Sequence, residues 1–108
     1  MSAVGHVLVS EPVTASELVD RMGISFETLC HAVQTDLANL DDGGPHSWRT
    51  IASLWKEMTA LFGGEENARR FLNQPRPELA DETPLHYLDS GEPEIVTNLV
   101  FAMREMLP

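Results

Sequence analysis

Hydrophobic residues recur with helical spacing along most of the chain, and this pattern predicts an all-α protein, a small helical bundle. The strongest run lies between Ser47 and Gly63, which are placed to cap and to end a helix. Its apolar residues follow one another at intervals of three and four positions: Trp48, Ile51, Ala52, Trp55, Met58 and Phe62. We interpret this helix as the spine of the core; stacking of its tryptophans on a cofactor is the alternative.

Two shorter helices are predicted before it. Thr14 to Glu17 has the pattern of a capping box, and Gly23 is placed to end the first helix. Ser25 begins the second helix, whose apolar positions again have helical spacing: Phe26, Leu29, Cys30 and Val33. Two helices joined by a short turn that contains glycine form the helix-turn-helix layout of many DNA-binding proteins.

The side chains of the second helix fit DNA poorly. Only Thr28, His31 and Gln34 are available to contact base edges, and Glu27 would repel the phosphate backbone. We therefore favour a helix pair kept as a scaffold or dimer surface, with DNA binding by residues 14–34 as the weaker alternative.

The net charge of the chain also argues against DNA binding. Its 108 residues carry a formal net charge of −10, and residues 1–48 hold seven acidic residues against the single Arg21. Such a segment opposes the phosphate neutralisation on which DNA affinity depends. The charge favours solubility or a basic, nucleotide-handling partner.

The remaining N-terminal segments are predicted to be a terminal arm and a connecting segment. Residues 1–13 alternate apolar and polar positions without a partner strand, so we expect a flexible arm. Residues 35–46 form a polar connector broken at Gly43-Gly44-Pro45. Residues 14–46 are thus predicted to be a degenerate helix-turn-helix region, followed by a helical region over residues 47–108.

The last helix is predicted to run from Pro93 to Leu107 and to be unusually apolar. Phe101 lies off its main apolar face, which comprises Ile95, Val96, Leu99, Val100, Met103, Met106 and Leu107. In so small a protein, a face of this width is either deeply buried or covered by another chain, and we favour the second.

Motifs for catalysis or metal binding are absent from the sequence. The four histidines lie in different segments without ligand spacing, and no glycine-rich phosphate loop or nucleophile motif is found. The single cysteine, Cys30, is expected to face the core as an inert thiol. We predict no enzymatic activity, no metal and no cofactor. With one cysteine, no apolar run of membrane-spanning length and no basic flank at the start, the protein is expected in the cytoplasm.

The segment from residue 68 to residue 99 has the most specific local pattern, in which a helix stops before a proline and Thr83-Pro84 begins the next helix. It resembles the C-terminal toxin-binding domain of the Xre/MbcA/ParS antitoxins over roughly the last half of the chain. Phe71 stands where that family usually has Trp, and Ala80 where it often has Gly. The matching residues are Ala68, Phe71, Leu72, Pro75, Leu79, Thr83, Pro84, Leu85, Leu88, Gly91 and Val96.

This resemblance implies an antitoxin of a type II toxin-antitoxin system and a homodimer within a larger assembly. The partner would be a RES-domain toxin that degrades NAD, and the antitoxin would cover its active-site cleft. Because family members often continue past the last helix with an apolar tail and this sequence stops at residue 108, we expect a helical surface to cover the cleft. The candidate toxin contacts are Arg69, Arg70, Arg76, Glu78 and Asp81. The alternatives are a DNA-binding autorepressor using residues 14–34 and an orphan dimeric adaptor.

Overall fold

Six α-helices make up most of the part of the chain that the computed structural model describes, which is Pro12, residues 14–40 and residues 47–106. Two short 3-10 turns complete it, Leu37–Asn39 and Pro77–Leu79. The predicted all-α class is confirmed. The expected arm (residues 1–13, except Pro12) and the Gly-Gly-Pro break (within 41–46) lie outside the described residues. The helices are α1 (Ala15–Met22), α2 (Phe26–Val33), α3 (Arg49–Phe62), α4 (Glu65–Leu72), α5 (Pro84–Asp89) and α6 (Pro93–Met106).

Local signals set most helix boundaries as predicted. Thr14, Ser25 and Thr83 each accept, at 3.0 to 3.1 Å, a hydrogen bond from the backbone N–H three residues further on. Gly23 and Gly63 end α1 and α3 in the left-handed conformation, with φ of 71° and 82°. A short turn that contains Gly23 therefore joins α1 to α2, and whether the pair acts as a helix-turn-helix stays a prediction.

The start of α3 differs slightly from the prediction. The helix begins at Arg49, and Trp48 is its N-cap residue. Ser47 is buried and lies one position earlier, where its hydroxyl accepts a hydrogen bond from the Arg49 N–H at 3.3 Å. The first turn is closed by three-residue hydrogen bonds, such as that from the Thr50 N–H to the Ser47 carbonyl. This tighter turn shifts the helix start by one residue.

One hydrophobic core joins the N-terminal helix pair to the C-terminal helices. Each of the six helices contributes completely or almost completely buried residues, among them Leu18, Leu29, Trp55, Leu72, Leu88 and Val96. Trp48 and Trp55 are only 2% and 1% exposed, so neither ring presents a face on which a cofactor could stack. The helix pair and the region from residue 47 onwards therefore fold around the same core.

The side chains of α6 differ in how deeply they enter that core. Val96 and Val100 are fully buried, whereas Leu99 is half-buried, Phe101 is 38% exposed and Met106 is 80% exposed. Leu99 and Met103 are partly buried and still pack against the core, so only the Met106 end of the predicted wide apolar face is open in the single chain; Leu107 lies outside the described residues. In the described part of the chain, no helix combines the length and apolar character that crossing a membrane requires.

Candidate functional site

The surface formed by α4 and the loop that follows it contains the predicted toxin contacts. Ala68, Phe71 and Leu72 turn one side of α4 into the core. The Phe71 ring stacks on Phe62 with 4.5 Å between centroids, and the Arg76 guanidinium lies 5.5 Å from the Phe71 ring. Phe71 therefore connects the core to the base of the loop, a role that needs a large ring at this position.

Arg69, one of the candidate toxin contacts, is directed towards α1 and not towards solvent. It is half-buried, and its guanidinium donates a hydrogen bond of 2.7 Å to the Arg21 carbonyl at the C-terminal end of α1. A charged donor suits this position, because the last carbonyls of a helix lack partners within the helix and carry partial negative charge. Arg69 lies outside the buried side of α4, and the contact with Arg21 arises because α1 packs beside it.

Arg70 is the outward arginine of the pair. Its side chain is 59% exposed and lies 3.6 Å from Glu66 one turn earlier, with a hydrogen bond of 3.1 Å to the Asn67 side chain. Exposed pairs of this kind contribute little to stability. Arg70 can therefore exchange these contacts for a partner at small cost.

Arg76 and Glu78 form a rigid charged pair within the loop. Arg76 donates to both Glu78 carboxylate oxygens, at 3.2 and 3.0 Å, and this bonding lowers the pKa of Glu78. The backbone closes around the same pair, since the Arg76 N–H bonds the Glu82 carbonyl and the Asp81 N–H bonds the Arg76 carbonyl. The Tyr87 hydroxyl donates to the Leu79 carbonyl at 3.2 Å and fixes the loop to α5.

The tip of this loop has two successive residues in the left-handed conformation. Ala80 and Asp81 have φ of 56° and 65°, and both are exposed. An L-residue other than glycine is strained in this region, so a glycine would adopt the conformation of Ala80 at lower cost. We name Arg70, Arg76, Glu78 and Asp81 the loop surface; Arg69 belongs to the interior contacts instead.

The predicted DNA contacts on α2 are all directed at the C-terminal helices. His31 Nδ1 lies 3.0 Å from the Asp89 carboxylate on α5, and the Gln34 side chain donates to the Gly91 carbonyl at 2.8 Å. Thr28 also hydrogen-bonds Asp89. To read bases, these three side chains would have to leave α5 and the turn after it, so their contacts favour the interpretation of the helix pair as a scaffold.

Electrostatics reinforce the contact between α2 and α5. The hydrogen bond to Asp89 is the main cause that raises the pKa of His31, and the same bond, followed by that from Thr28, lowers the pKa of Asp89. Glu27 also raises the pKa of His31, and His86 contributes to lowering that of Asp89. The pair is therefore most favourable when His31 is protonated and Asp89 is ionised.

Cys30 lies beside this contact in a shallow polar groove that is also lined by Asp36 and Asn39. Partial burial and then the negative charge of Asp36 raise the pKa of Cys30, which disfavours the thiolate. Cys30 is partly exposed and not fully inward as predicted. Among the described residues, no three His, Cys, Asp or Glu side chains lie together as a metal site would require.

Sequence reasoning missed a groove between α3 and α6. Its two contiguous parts measure about 390 and 240 Å³. Thr50, Leu54 and Thr97 line both parts, and Phe101 lines the smaller one. The position of Phe101 off the main apolar face of α6 was the available signal, but only the placement of α3 turns that position into a groove wall.

Comparison with protein-family models matches residues 59–105 to the antitoxin Xre/MbcA/ParS C-terminal toxin-binding domain. No curated protein and no solved structure matches the chain. The matched segment begins near the end of α3 and contains α4, the loop surface, α5 and nearly all of α6. Residues 59–105 of this chain are therefore similar to the toxin-binding domain of the Xre/MbcA/ParS antitoxins.

Proposed function

We propose that the chain is the antitoxin of a type II toxin-antitoxin pair and that its toxin is a RES-domain enzyme that degrades NAD. The observation that carries this proposal is the family match over α4, the loop surface, α5 and α6. The toxin class and the NAD chemistry come from the resemblance. Neutralisation would consist of covering the active-site cleft, which requires no catalysis and no cofactor from the antitoxin. A homodimer is part of the same proposal.

The loop surface has properties that suit it to a binding role. The bonds that fix Arg76, Glu78 and the Asp81 backbone mean that little conformational freedom is lost when a partner binds. A cleft that binds a dinucleotide needs positive charge, and this chain has a net charge of −10. We propose that Glu78 and Asp81 face basic groups of the toxin, while Arg70 pairs with an acidic group at the rim of the cleft.

The first test is co-purification of the tagged chain with the product of the adjacent gene, followed by an NAD-consumption assay of that product. A stable complex in which NAD loss is suppressed is the expected result. If the neighbouring product consumes NAD at the same rate with and without this chain, the neutralisation proposal is wrong.

A charge reversal at Arg70 tests the loop surface. Arg70→Glu should weaken the complex about tenfold or more, because it places a negative charge against an acidic group of the toxin. Lys56→Glu is the matched control: it changes the net charge equally, at an exposed position of α3 outside the matched segment. Equal affinity of the two variants would remove Arg70 from the interface. Arg69→Glu is less informative, because loss of the bond to Arg21 would also disturb the packing of α1.

The two alternatives predict different results in the same system. An autorepressor using residues 14–34 would bind its own promoter in a salt-dependent way, with or without the toxin. An orphan adaptor would form no complex with the product of any adjacent gene. The contacts of Thr28, His31 and Gln34 with α5 and Gly91 weigh against the autorepressor.

A further inference from the structure

Four residues of α6 form a stripe along the wall of the groove between α3 and α6. Glu94, Thr97, Phe101 and Arg104 follow one another at intervals of three, four and three residues, which places them on one side of the helix. The structure agrees, because Glu94 and Thr97 line one part of the groove and Thr97 and Phe101 line the other. The Arg104 guanidinium lies 5.1 Å from the centre of the Phe101 ring. We name these four residues the α6 stripe.

Apolar surface in this groove remains uncovered in the single chain. Phe101 is 38% exposed, and it lies beside buried Leu54 and Val100 in a groove of about 240 Å³. The Arg104 side chain is 53% exposed and pairs with Glu57 of α3 at the edge of the groove. An exposed aromatic ring beside a groove on the same face gives the surface both a projecting group and a place to receive one.

The α6 stripe is complementary to a second copy of itself that runs in the opposite direction, because the acidic end of one copy then meets the basic end of the other. If a second α6 lies antiparallel across the groove, with the two-fold axis level with Leu99, Glu94 faces Arg104 of the second copy. In the same register Thr97 faces Phe101 of the second copy, and each contact occurs twice by symmetry. The antiparallel arrangement also brings the positive end of each helix dipole to the negative end of the other.

We propose that the α3–α6 groove is the homodimer interface of this protein and that the second copy docks through the α6 stripe in this antiparallel register. The inference deepens the homodimer part of the proposed function and needs no toxin. The charge order, with an acid at one end and a base at the other, identifies a second copy as the occupant. Ten residues separate Glu94 from Arg104, about 15 Å along the helix, so the two cannot pair within one copy.

Sedimentation velocity of the purified chain alone, over a concentration range of about 1 to 100 µM, measures the dimer directly. Phe101→Ala should raise the dimer dissociation constant about 30-fold, the effect of removing a buried aromatic anchor. Phe26→Ala is the matched control, because Phe26 lies on α2 with 39% exposure and should leave the dissociation constant unchanged. A wild-type chain that is monomeric throughout this range, or equal effects of the two variants, would overturn the proposal.

Exchanging the charges of Glu94 and Arg104 tests the antiparallel register of the two α6 helices. Glu94→Arg and Arg104→Glu should each weaken the dimer about five- to tenfold, and the double variant should return to within about threefold of wild type. Thermal unfolding of each variant establishes that the monomer remains folded, as expected at exposed positions. Two weakened single variants without rescue in the double variant would exclude the antiparallel pairing. Because the toxin is absent, failure here leaves the NAD assay untouched, and failure of neutralisation leaves this dimer test valid.

Discussion

The helices α2 and α6 use their side chains in opposite ways. On α2 and at its C-cap, the polar residues Thr28, His31 and Gln34 are bonded to α5 and to the turn after it. On α6, the apolar residues Phe101 and Met106 are open to solvent. Polar side chains that resemble a binding surface therefore serve the fold, while apolar side chains that resemble core remain available for a partner.

The difference comes from the number of neighbours. The α2 helix packs against α1, α3, α5 and the first 3-10 turn, whereas α6 packs mainly against α3 and α5. A helix with neighbours on several sides brings its polar side chains within hydrogen-bonding distance of other elements, even where, as at His31, they keep contact with water. A helix at the edge can keep apolar surface exposed, at the cost of a tendency to associate.

The largest expected effect is the loss of unfolding free energy when a leucine is truncated to alanine. This loss should be greater in α2 than in α6. Leu29→Ala in α2 removes a completely buried side chain and should lower the free energy of unfolding by about 3 kcal/mol. Leu99→Ala in α6 removes a half-buried one and should cost about 1 kcal/mol. Urea unfolding followed by circular dichroism, at a concentration where the chain is monomeric, measures both. Equal costs would show that α6 is as enclosed as α2.

Replacement of Gly91 by alanine tests how closely α2 approaches the turn before α6. Gly91 has φ of 76°, and an added Cβ would lie 3.2 Å from the His31 carbonyl and 3.6 Å from the Gln34 side chain. Gly91→Ala should therefore cost about 2 kcal/mol. Gly63→Ala is the control, because Gly63 has φ of 82° but no atom near the added Cβ. The excess cost at Gly91, also read from urea unfolding, reports the contact with α2; no excess would contradict it.

A smaller, stabilising effect is expected at Ala80, next to Asp81 of the loop surface. The left-handed backbone conformation at Ala80, more than contacts with other helices, decides the effect of a substitution there. Ala80→Gly relieves the left-handed strain of about 1 to 2 kcal/mol and adds glycine entropy to the unfolded chain, leaving a net gain of roughly 0.5 to 1 kcal/mol. A rise in thermal midpoint with unchanged toxin affinity is the expected result. Any loss of stability would mean that the Ala80 methyl group makes contacts that outweigh the strain.

The smallest effect is the pH dependence of the pair between α2 and α5. Because the pKa of His31 is raised on folding, its contribution is fully present below the ordinary value of 6.5 and is lost as the pH rises through the folded pKa. Because the pKa of Asp89 is lowered, its contribution is present above 3.8 and is lost as the pH falls through the folded pKa. The pair thus stabilises most between about pH 4 and 6.5.

Asp89→Asn provides the measurement. The difference in the free energy of unfolding between wild type and this variant should be larger at pH 5.5 than at pH 8. Glu92→Gln is a control at an exposed carboxylate nearby in the chain. A difference that stays constant between these two pH values would show that His31 and Asp89 do not interact in solution.

Much of the local structure could be predicted because its causes lie within a few residues of each other. The hydroxyls of Thr14, Ser25 and Thr83 cap their own helices, and Gly23 and Gly63 end theirs. Helical periodicity likewise identified the core side of α3, and the Thr83-Pro84-Leu85 segment indicated the resemblance that the match over residues 59–105 confirms. These features need no knowledge of what packs against each helix.

The tertiary structure determines which polar side chains are bonded within the protein and which remain outward. Arg69 and Arg70 are adjacent and chemically alike, yet only the packing of α1 makes Arg69 an interior donor to Arg21 and leaves Arg70 outward. Similarly, the placement of α5 engages His31, and that of α3 makes Phe101 part of a groove. Sequence determines which side of each helix is apolar, because that depends on spacing along the chain. Which of the other sides meets a neighbour depends on the angles between helices, and these are set by the shape of the whole core.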